Sequence, residues 1–130
     1  MISPGSRQVV EHLVEDGDYS HLVRAGVRIV ENACGACIGM GSAPSSGANS
    51  VRTFNRNFEG RSGTKDAKVY LVSPETAVAT ALTGKLTDPR TLGAVPVITL
   101  PDAYLVNDNL ILRPLPEAEA AQVEILRGPN

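Results

Sequence analysis

Two cysteines, Cys34 and Cys37, are separated by two residues in the segment ENACGACIGMG and are the only cysteines of the 130-residue chain. Gly35 lies between the two cysteines, and Gly39 and Gly41 follow them. Glycine lets a backbone approach a bound group closely. Thiols at this spacing suit four roles: small buried apolar side chains, a redox pair, half of a zinc site, or ligands of an iron–sulfur cluster.

The context of the two cysteines weighs against the first three roles. A glycine-rich loop after a strand exposes its side chains, which argues against a buried apolar pair. A thioredoxin-like pair needs a helix after the motif to activate the first thiol, and IGMGSAPSSGANS cannot sustain more than one turn. Structural zinc needs four ligands, and the other candidates, His12 and His21, have the wrong spacing and are predicted to be solvated. A cluster fits the spacing, but by spacing alone it is one option among several.

Two arginines, Arg56 and Arg61, lie five positions apart in the segment NRNFEGR. Each guanidinium is a planar fork that can hold a carboxylate through two hydrogen bonds. The pair therefore suits an organic acid with more than one carboxylate. From the residues alone, surface ion pairs are the simpler explanation. The acidic candidates for such pairs are Glu31, Glu59 and Asp66.

Helices and strands that alternate along the first 85 residues position these side chains. Helices are predicted from the Ser6 cap to Gly17, over 19–26, and from the Ser73 cap to Gly84. Strands are predicted over 27–31, 50–54 and 67–72, where β-branched residues are frequent. The cysteines follow the first strand and the arginines follow the second, each in a loop. Such alternation predicts a layered α/β domain with a mostly parallel sheet.

The chain is predicted to divide into an α/β core over 1–94 and a β-rich C-terminal appendix or linker start over 95–130. The appendix contains two strand-like runs, over 94–100 and 103–114, the second predicted as a hairpin that turns at Asn107. Because the sequence opens directly on a turn and a helix and closes on a Gly-Pro-Asn turn, we expect a piece excised from a longer protein.

The composition limits the possible partners and compartments. With a net charge of −2, the chain lacks the excess of basic residues that is typical of nucleic-acid-binding proteins. Nucleic acid is therefore not expected as a partner. No apolar run approaches the ~18 residues of a membrane span, and the N-terminus lacks the pattern of a signal peptide. Two cysteines at this spacing fit a reducing compartment, so a cytoplasmic protein is expected.

Three collinear pieces, ACGACIGMGSAP, SVRTFNRNFEGRSGT and VYLVSPETAVATALTGKLTDPR, resemble the aconitase family, as does PGSRQV upstream. That family includes aconitate hydratase, homoaconitase and the large subunit of isopropylmalate isomerase. The resemblance covers residues 4–90 and is looser after residue 95. It implies a three-layer α/β/α domain and a hydro-lyase with a 4Fe–4S cluster held by three cysteines, whose fourth iron is open to substrate.

Residue by residue, the resemblance implies roles for five side chains. Cys34 and Cys37 match the second and third cluster ligands, and the first ligand has no counterpart in this chain. Arg56 and Arg61 match arginines that bind substrate carboxylates, and Asn55 matches an asparagine that hydrogen-bonds near the cluster. The acid–base residues of the family have no counterpart here, so no catalytic residue is assigned.

The resemblance implies aconitate hydratase, which isomerises citrate and isocitrate through cis-aconitate in the tricarboxylic acid cycle, as the activity of the parent protein. Homoaconitase and the 3-isopropylmalate dehydratase large subunit are the alternatives. The implied partners are a small tri- or dicarboxylate and the remaining domains of the parent enzyme. The chain alone is expected to be inactive. A stand-alone CxxC redox or metal-binding module and a non-catalytic scaffold remain as rival classes.

Overall fold

The structure is a computed structural model that describes residues 1–128. Its helices and strands are short and are joined by long irregular segments. In chain order they are α1 (Arg7–Glu15), α2 (Asp18–Arg24), a first 3-10 turn (Ala36–Ile38), β1 (Asn49–Arg52), β2 (Lys68–Leu71), α3 (Pro74–Thr83), a second 3-10 turn (Pro89–Leu92) and α4 (Glu117–Ala120).

The helices α1 and α3 begin at the serines predicted from the sequence. The Ser6 hydroxyl accepts the N–H of Val9 at 3.2 Å, and the Ser73 hydroxyl accepts the N–H of Thr76 at 3.2 Å. Such a cap stabilises a helix by about 1 kcal/mol, because it satisfies an N–H that the first turn leaves free. Helix α3 ends at Gly84, whose φ of 74° lies in the left-handed region.

Strands β1 and β2 pair in parallel, with Asn49 opposite Lys68 and Arg52 opposite Leu71. This small parallel pair beside helices is compatible with the predicted α/β class. Strand β2 lies within its predicted range of 67–72, whereas β1 begins one residue before its predicted range of 50–54 and ends two residues before the end of that range. The described residues form a two-stranded sheet rather than a full three-layer domain. The third predicted strand, over 27–31, contributes a single parallel bridge between Ile29 and Ile2.

The C-terminal strands predicted over 94–100 and 103–114 do not form in the structure. Between residue 95 and residue 128, helix α4 is the only helix or strand. A strand needs a neighbour for its N–H and C=O groups, and no segment of residues 1–128 pairs with this part of the chain. In place of the predicted hairpin, the Asn107 side chain accepts the N–H of Asn109 at 3.1 Å.

A short stretch of the C-terminal segment lies against helix α1. The N–H of Leu105 donates to Nε2 of His12 at 2.9 Å, and the Asn107 amide donates to both carboxylate oxygens of Glu11 at 2.8 and 3.0 Å. The Gln8 amide donates to the Asn107 carbonyl at 3.2 Å. These five residues are called the α1–tail contact below.

The α1–tail contact corrects one prediction about the histidines. His12 is half-buried and accepts a backbone hydrogen bond, so it is not the solvated side chain that the sequence predicts. The correction depends on a segment more than 90 positions away along the chain, which helical periodicity does not reveal. His21 is exposed as predicted, with Nδ1 at 3.8 Å from the carboxylate of Asp18.

The chain buries little of its apolar surface. Among residues 1–128, the buried hydrophobic residues are Ala36, Cys37, Ala67 and Ala79. The accessible surface is 10665 Å², whereas a folded monomer of this mass exposes roughly 6,600 Å². Val97 and Leu112 are 94% and 95% exposed. Many large hydrophobic side chains therefore contribute to the excess, and folded domains usually cover such side chains.

Among residues 1–128, no helix combines the length and apolar character that crossing a membrane requires.

Candidate functional site

The thiols of Cys34 and Cys37 face each other, with their sulfurs 2.9 Å apart. Both cysteines are free; Cys34 is exposed and Cys37 is buried. The first 3-10 turn brings them together and ends at Gly39, whose φ of 89° is left-handed. Two thiolates on one tetrahedral metal with bonds of ~2.3 Å lie roughly 3.8 Å apart, so the sulfurs must separate to bind a metal.

One hydrogen bond makes the two thiols unequal. The hydrogen bond with the Cys34 thiol lowers the pKa of Cys37, while burial raises it and Arg61 lowers it further. The same hydrogen bond raises the pKa of Cys34. Cys37 is therefore the thiol that ionises first, and the thiolate is the form that binds a metal.

The loop that carries the cysteines packs against the loop that carries the arginines. A Cβ added at Gly39 would lie 2.7 Å from the Ser62 hydroxyl, and one added at Gly63 would lie 2.8 Å from the Pro44 carbonyl. Both glycines have positive φ, which other residues rarely adopt. Glycine at these two positions therefore permits the close approach of the two loops.

Arg61 is half-buried and contacts the thiol pair directly. Its Nη2 donates to the Cys37 sulfur at 3.7 Å, and its guanidinium carbon lies 5.9 Å from the centre of the Phe58 ring. Arg56 is exposed, and its positive charge offsets part of the rise in the pKa of Cys34. The structure thus places the guanidinium of Arg61 against Cys37, and the charge of Arg56 acts on the same thiol pair.

The alternative explanation for the arginines was surface pairing with acidic residues. Within residues 1–128 neither Arg56 nor Arg61 forms an ion pair. Other arginines of the chain do: Arg7 pairs with Glu11, and Arg90 pairs with Asp88. The loop therefore presents cations that the described part of the chain does not neutralise. The Asn55 side chain is exposed beside them, and its predicted role remains a prediction.

A third arginine, Arg52, lies at the end of β1 and was not singled out from the sequence. It is half-buried, and its Nε and Nη2 donate to the Ser50 hydroxyl at 3.3 and 3.0 Å. Burial lowers the pKa of Arg52, and the charge of Cys37 raises it. The available signal was its place in SVRTFNRNFEGR, four positions before Arg56.

Two polar atoms next to the thiol loop are buried without a hydrogen-bond partner: Nε of Arg61 and the hydroxyl of Ser62. Ser62 is only 2% exposed. Buried donors without acceptors are rare in folded proteins, and a bound anion would supply the acceptors. The donors, the guanidinium charges and the paired thiols together fit an anionic iron–sulfur cluster held by Cys34 and Cys37.

The described residues supply only part of the ligand set of such a cluster. Among residues 1–128 there is no group of three or more Cys, His, Asp or Glu side chains placed to hold a metal ion. A cluster with three cysteine ligands therefore needs one ligand in addition to Cys34 and Cys37.

Comparison with known proteins identifies relatives over the part of the chain that carries the site. Residues 1–84 match the family model described as the aconitase family (aconitate hydratase). This range includes Cys34, Cys37, Arg52, Arg56 and Arg61. A comparison with solved structures gives no significant match.

Among the curated relatives, the 3-isopropylmalate dehydratase large subunit 1 of Thermotoga maritima is 41% identical over 91 residues, which cover 69% of this chain and 22% of the relative. The probable methanogen homoaconitase large subunit of Methanosarcina mazei is 44% identical over 91 residues, 69% of this chain and 23% of the relative. The homoaconitase large subunit of Thermus thermophilus is 45% identical over 95 residues, 71% of this chain and 22% of the relative.

The chain thus spans about a fifth of the length of the curated relatives that it matches. The family match nevertheless covers well over half of the chain itself. By that match, the chain belongs to the aconitase family.

Proposed function

We propose that this chain is a segment of the large subunit of an iron–sulfur hydro-lyase of the homoaconitase or 3-isopropylmalate dehydratase type. The names of the relatives support this alternative better than aconitate hydratase and the citrate–isocitrate reaction expected from the sequence. The observation that carries the proposal is the contact between Arg61 and Cys37 at 3.7 Å. It brings a guanidinium suited to a carboxylate against a thiol suited to a cluster.

In this proposal the segment holds one side of the cluster and binds the substrate. Cys34 and Cys37 are two ligands of a 4Fe–4S cluster, and the third comes from another part of the parent protein. When bound, the cluster supplies a Lewis-acidic iron for removal of the substrate hydroxyl. Arg56 and Arg61 bind the carboxylates of the hydroxy acid, and Asn55 hydrogen-bonds near the cluster.

The rest of the parent protein is the proposed partner of the exposed surface. The accessible surface of 10665 Å² supports this, because many large hydrophobic side chains are exposed in it. We propose that residues 1–94 belong to a three-layer α/β/α domain whose sheet extends the β1–β2 pair. Residues 95–128 then lead toward the remaining domains, and a cytoplasmic location fits the reduced thiols.

Anaerobic reconstitution of the complete 130-residue chain with ferrous iron and sulfide tests the proposal. We expect iron and sulfide to bind in equal amounts with the absorption of thiolate-ligated clusters, at less than one cluster per chain. Binding is expected to vanish in the Cys34→Ser, Cys37→Ser double variant and to persist in the Ser45→Ala control. Tight binding of zinc with no uptake of iron and sulfide would instead support a stand-alone metal-binding module and overturn the proposal.

A further inference from the structure

We infer that His12 makes the α1–tail contact a pH switch, which holds the C-terminal segment against helix α1 near neutral pH and releases it in mild acid. The inference goes beyond the proposed function and does not rest on it, because the contact contains none of the residues assigned to the candidate site. The names of the relatives assign no role to this contact.

The contact depends on an imidazole nitrogen that accepts a hydrogen bond. The N–H of Leu105 donates to Nε2 of His12 at 2.9 Å. A neutral imidazole has one accepting nitrogen and one N–H, so the proton of neutral His12 lies on Nδ1. In the imidazolium form both nitrogens are donors. The N–H of Leu105 would then face a second N–H, and the hydrogen bond would be lost.

The burial of the two partners makes this loss costly. His12 and Leu105 are both half-buried, and the Tyr104 ring faces the imidazole edge-on with its centroid 6.2 Å away. Within residues 1–128, the Leu105 N–H has no other acceptor. A buried donor without an acceptor carries the cost of its lost hydration. Release of the segment lets water bond to both N–H groups, so protonation favours the released state.

The direction of the pH dependence follows from this preference. Because the docked state requires neutral imidazole, the contact is complete above the pH at which His12 titrates, and it is lost as the pH falls through that value. An ordinary imidazole titrates near about pH 6.5, and an ordinary glutamate carboxyl near about pH 4.3.

The charged groups of helix α1 at the contact titrate outside this range. The Glu11 carboxylate accepts both hydrogen bonds from Asn107 and pairs with Arg7 at 3.5 Å. Glu15 lines the same groove between the helix and the tail. Because glutamate carboxyls ordinarily titrate about two pH units below imidazole, mild acid acts on His12 first.

Helix α2 packs against α1 and carries the other histidine of the chain, His21. This histidine is exposed, and its Nδ1 lies 3.8 Å from the carboxylate of Asp18 on the same helix. The remaining charged side chains of α2, of the end of α1 and of the tail around the contact are exposed: Asp16, Arg24, Asp102 and Asp108. His21 is therefore the matched control for His12.

An NMR titration of the complete chain from about pH 7.5 to about pH 5 tests the inference. The amide shifts of residues 104–107 report docking of the segment, and the shift of the imidazole Cε1 reports protonation of His12. The ratio of docked to released segment is expected to fall at least about fivefold, the loss of one hydrogen bond, with the same midpoint as the imidazole. Constant amide shifts of helix α3 verify that the chain remains folded.

Two variants make the test specific. His12→Gln removes the titrating group, so docking is expected to become independent of pH over this range, whether or not the new amide accepts from Leu105. His21→Gln removes the other imidazole and is expected to keep the pH response of the unaltered chain.

Three results would overturn the inference: a pH response that persists in His12→Gln, a response that disappears in His21→Gln, or amide shifts of residues 104–107 that do not follow the titration of His12 in the unaltered chain. None of them bears on the proposed function, which is tested separately by the uptake of iron and sulfide through Cys34 and Cys37.

Discussion

Arg61 and Cys37 are 24 positions apart in the sequence, and the guanidinium of one donates to the sulfur of the other at 3.7 Å. This contact joins the two loops that the sequence marks as chemically important. It also contributes to the lowered pKa of Cys37.

Replacing Arg61 by glutamine is expected to slow alkylation of Cys37 near neutral pH. The positive charge lowers the pKa of Cys37, so its removal shifts the appearance of the reactive thiolate to higher pH. Alkylation by iodoacetamide, resolved by mass spectrometry of the peptide that contains Cys37, measures the shift. Arg24→Gln is the matched control. Identical pH profiles for the Arg61 variant and the unaltered chain would contradict the prediction.

Replacing Gly39 by alanine is expected to lower the free energy of unfolding by about 1–3 kcal/mol, the usual cost of a strained backbone conformation. The added Cβ would lie 2.7 Å from the Ser62 hydroxyl and 3.0 Å from the Ala43 Cβ. Unfolding in urea measures the loss. Gly5→Ala is the control, because a Cβ at Gly5 meets no atom within 4 Å. Equal stability of the two variants would show that the two loops are not in contact.

The second 3-10 turn is expected to loosen in acid. Hydrogen bonds from the side chain and backbone of Arg90 lower the pKa of Asp88 from 3.8 to about 2. Because the pKa is lower in the folded state, the stabilisation is fully present above pH 3.8 and is lost as the pH falls through about 2. NMR titration of the Asp88 carboxyl carbon measures the pKa. Arg90→Gln is expected to raise it, and an unchanged value would contradict the assignment.

Replacing Asn107 by alanine is expected to release the C-terminal segment from helix α1. The change removes both hydrogen bonds to Glu11, and the neighbouring bond between Leu105 and His12 loses its support. Hydrogen exchange of the Leu105 amide is expected to accelerate by about fivefold or more, since a net hydrogen bond contributes about 1 kcal/mol. Asp102→Ala, at an exposed position before the contact, is the control. Equal protection in both variants would rule out the α1–tail contact.

Local signals predicted much of the fold around the site. The serine caps of α1 and α3, the glycine at the end of α3 and the two paired strands follow from residue types within a few positions. The cysteine loop forms one 3-10 turn and no longer helix, in agreement with its glycine content. For these elements the interactions that decide the structure are local, so the sequence pattern was sufficient.

The remaining features depend on partners that are distant in the sequence. His12 is an acceptor only because Leu105 reaches it, and the apolar runs after residue 94 lack a neighbouring strand within residues 1–128. The half-burial of Arg52 also depends on packing that strand periodicity alone does not show. The buried hydroxyl of Ser62 was missed for the same reason.

Strands β1 and β2 form a sheet of only two strands among the described residues, so each strand has one outer side without a strand partner. Unpaired N–H and C=O groups along such a side are templates for another chain. When this segment is produced alone, its strands are expected to pair edge to edge with those of other copies. This self-association lowers the solubility of the segment and increases with its concentration. During synthesis of the longer protein proposed here, the same two sides would stay open until neighbouring strands emerge from the ribosome, which makes this region a natural client for chaperones.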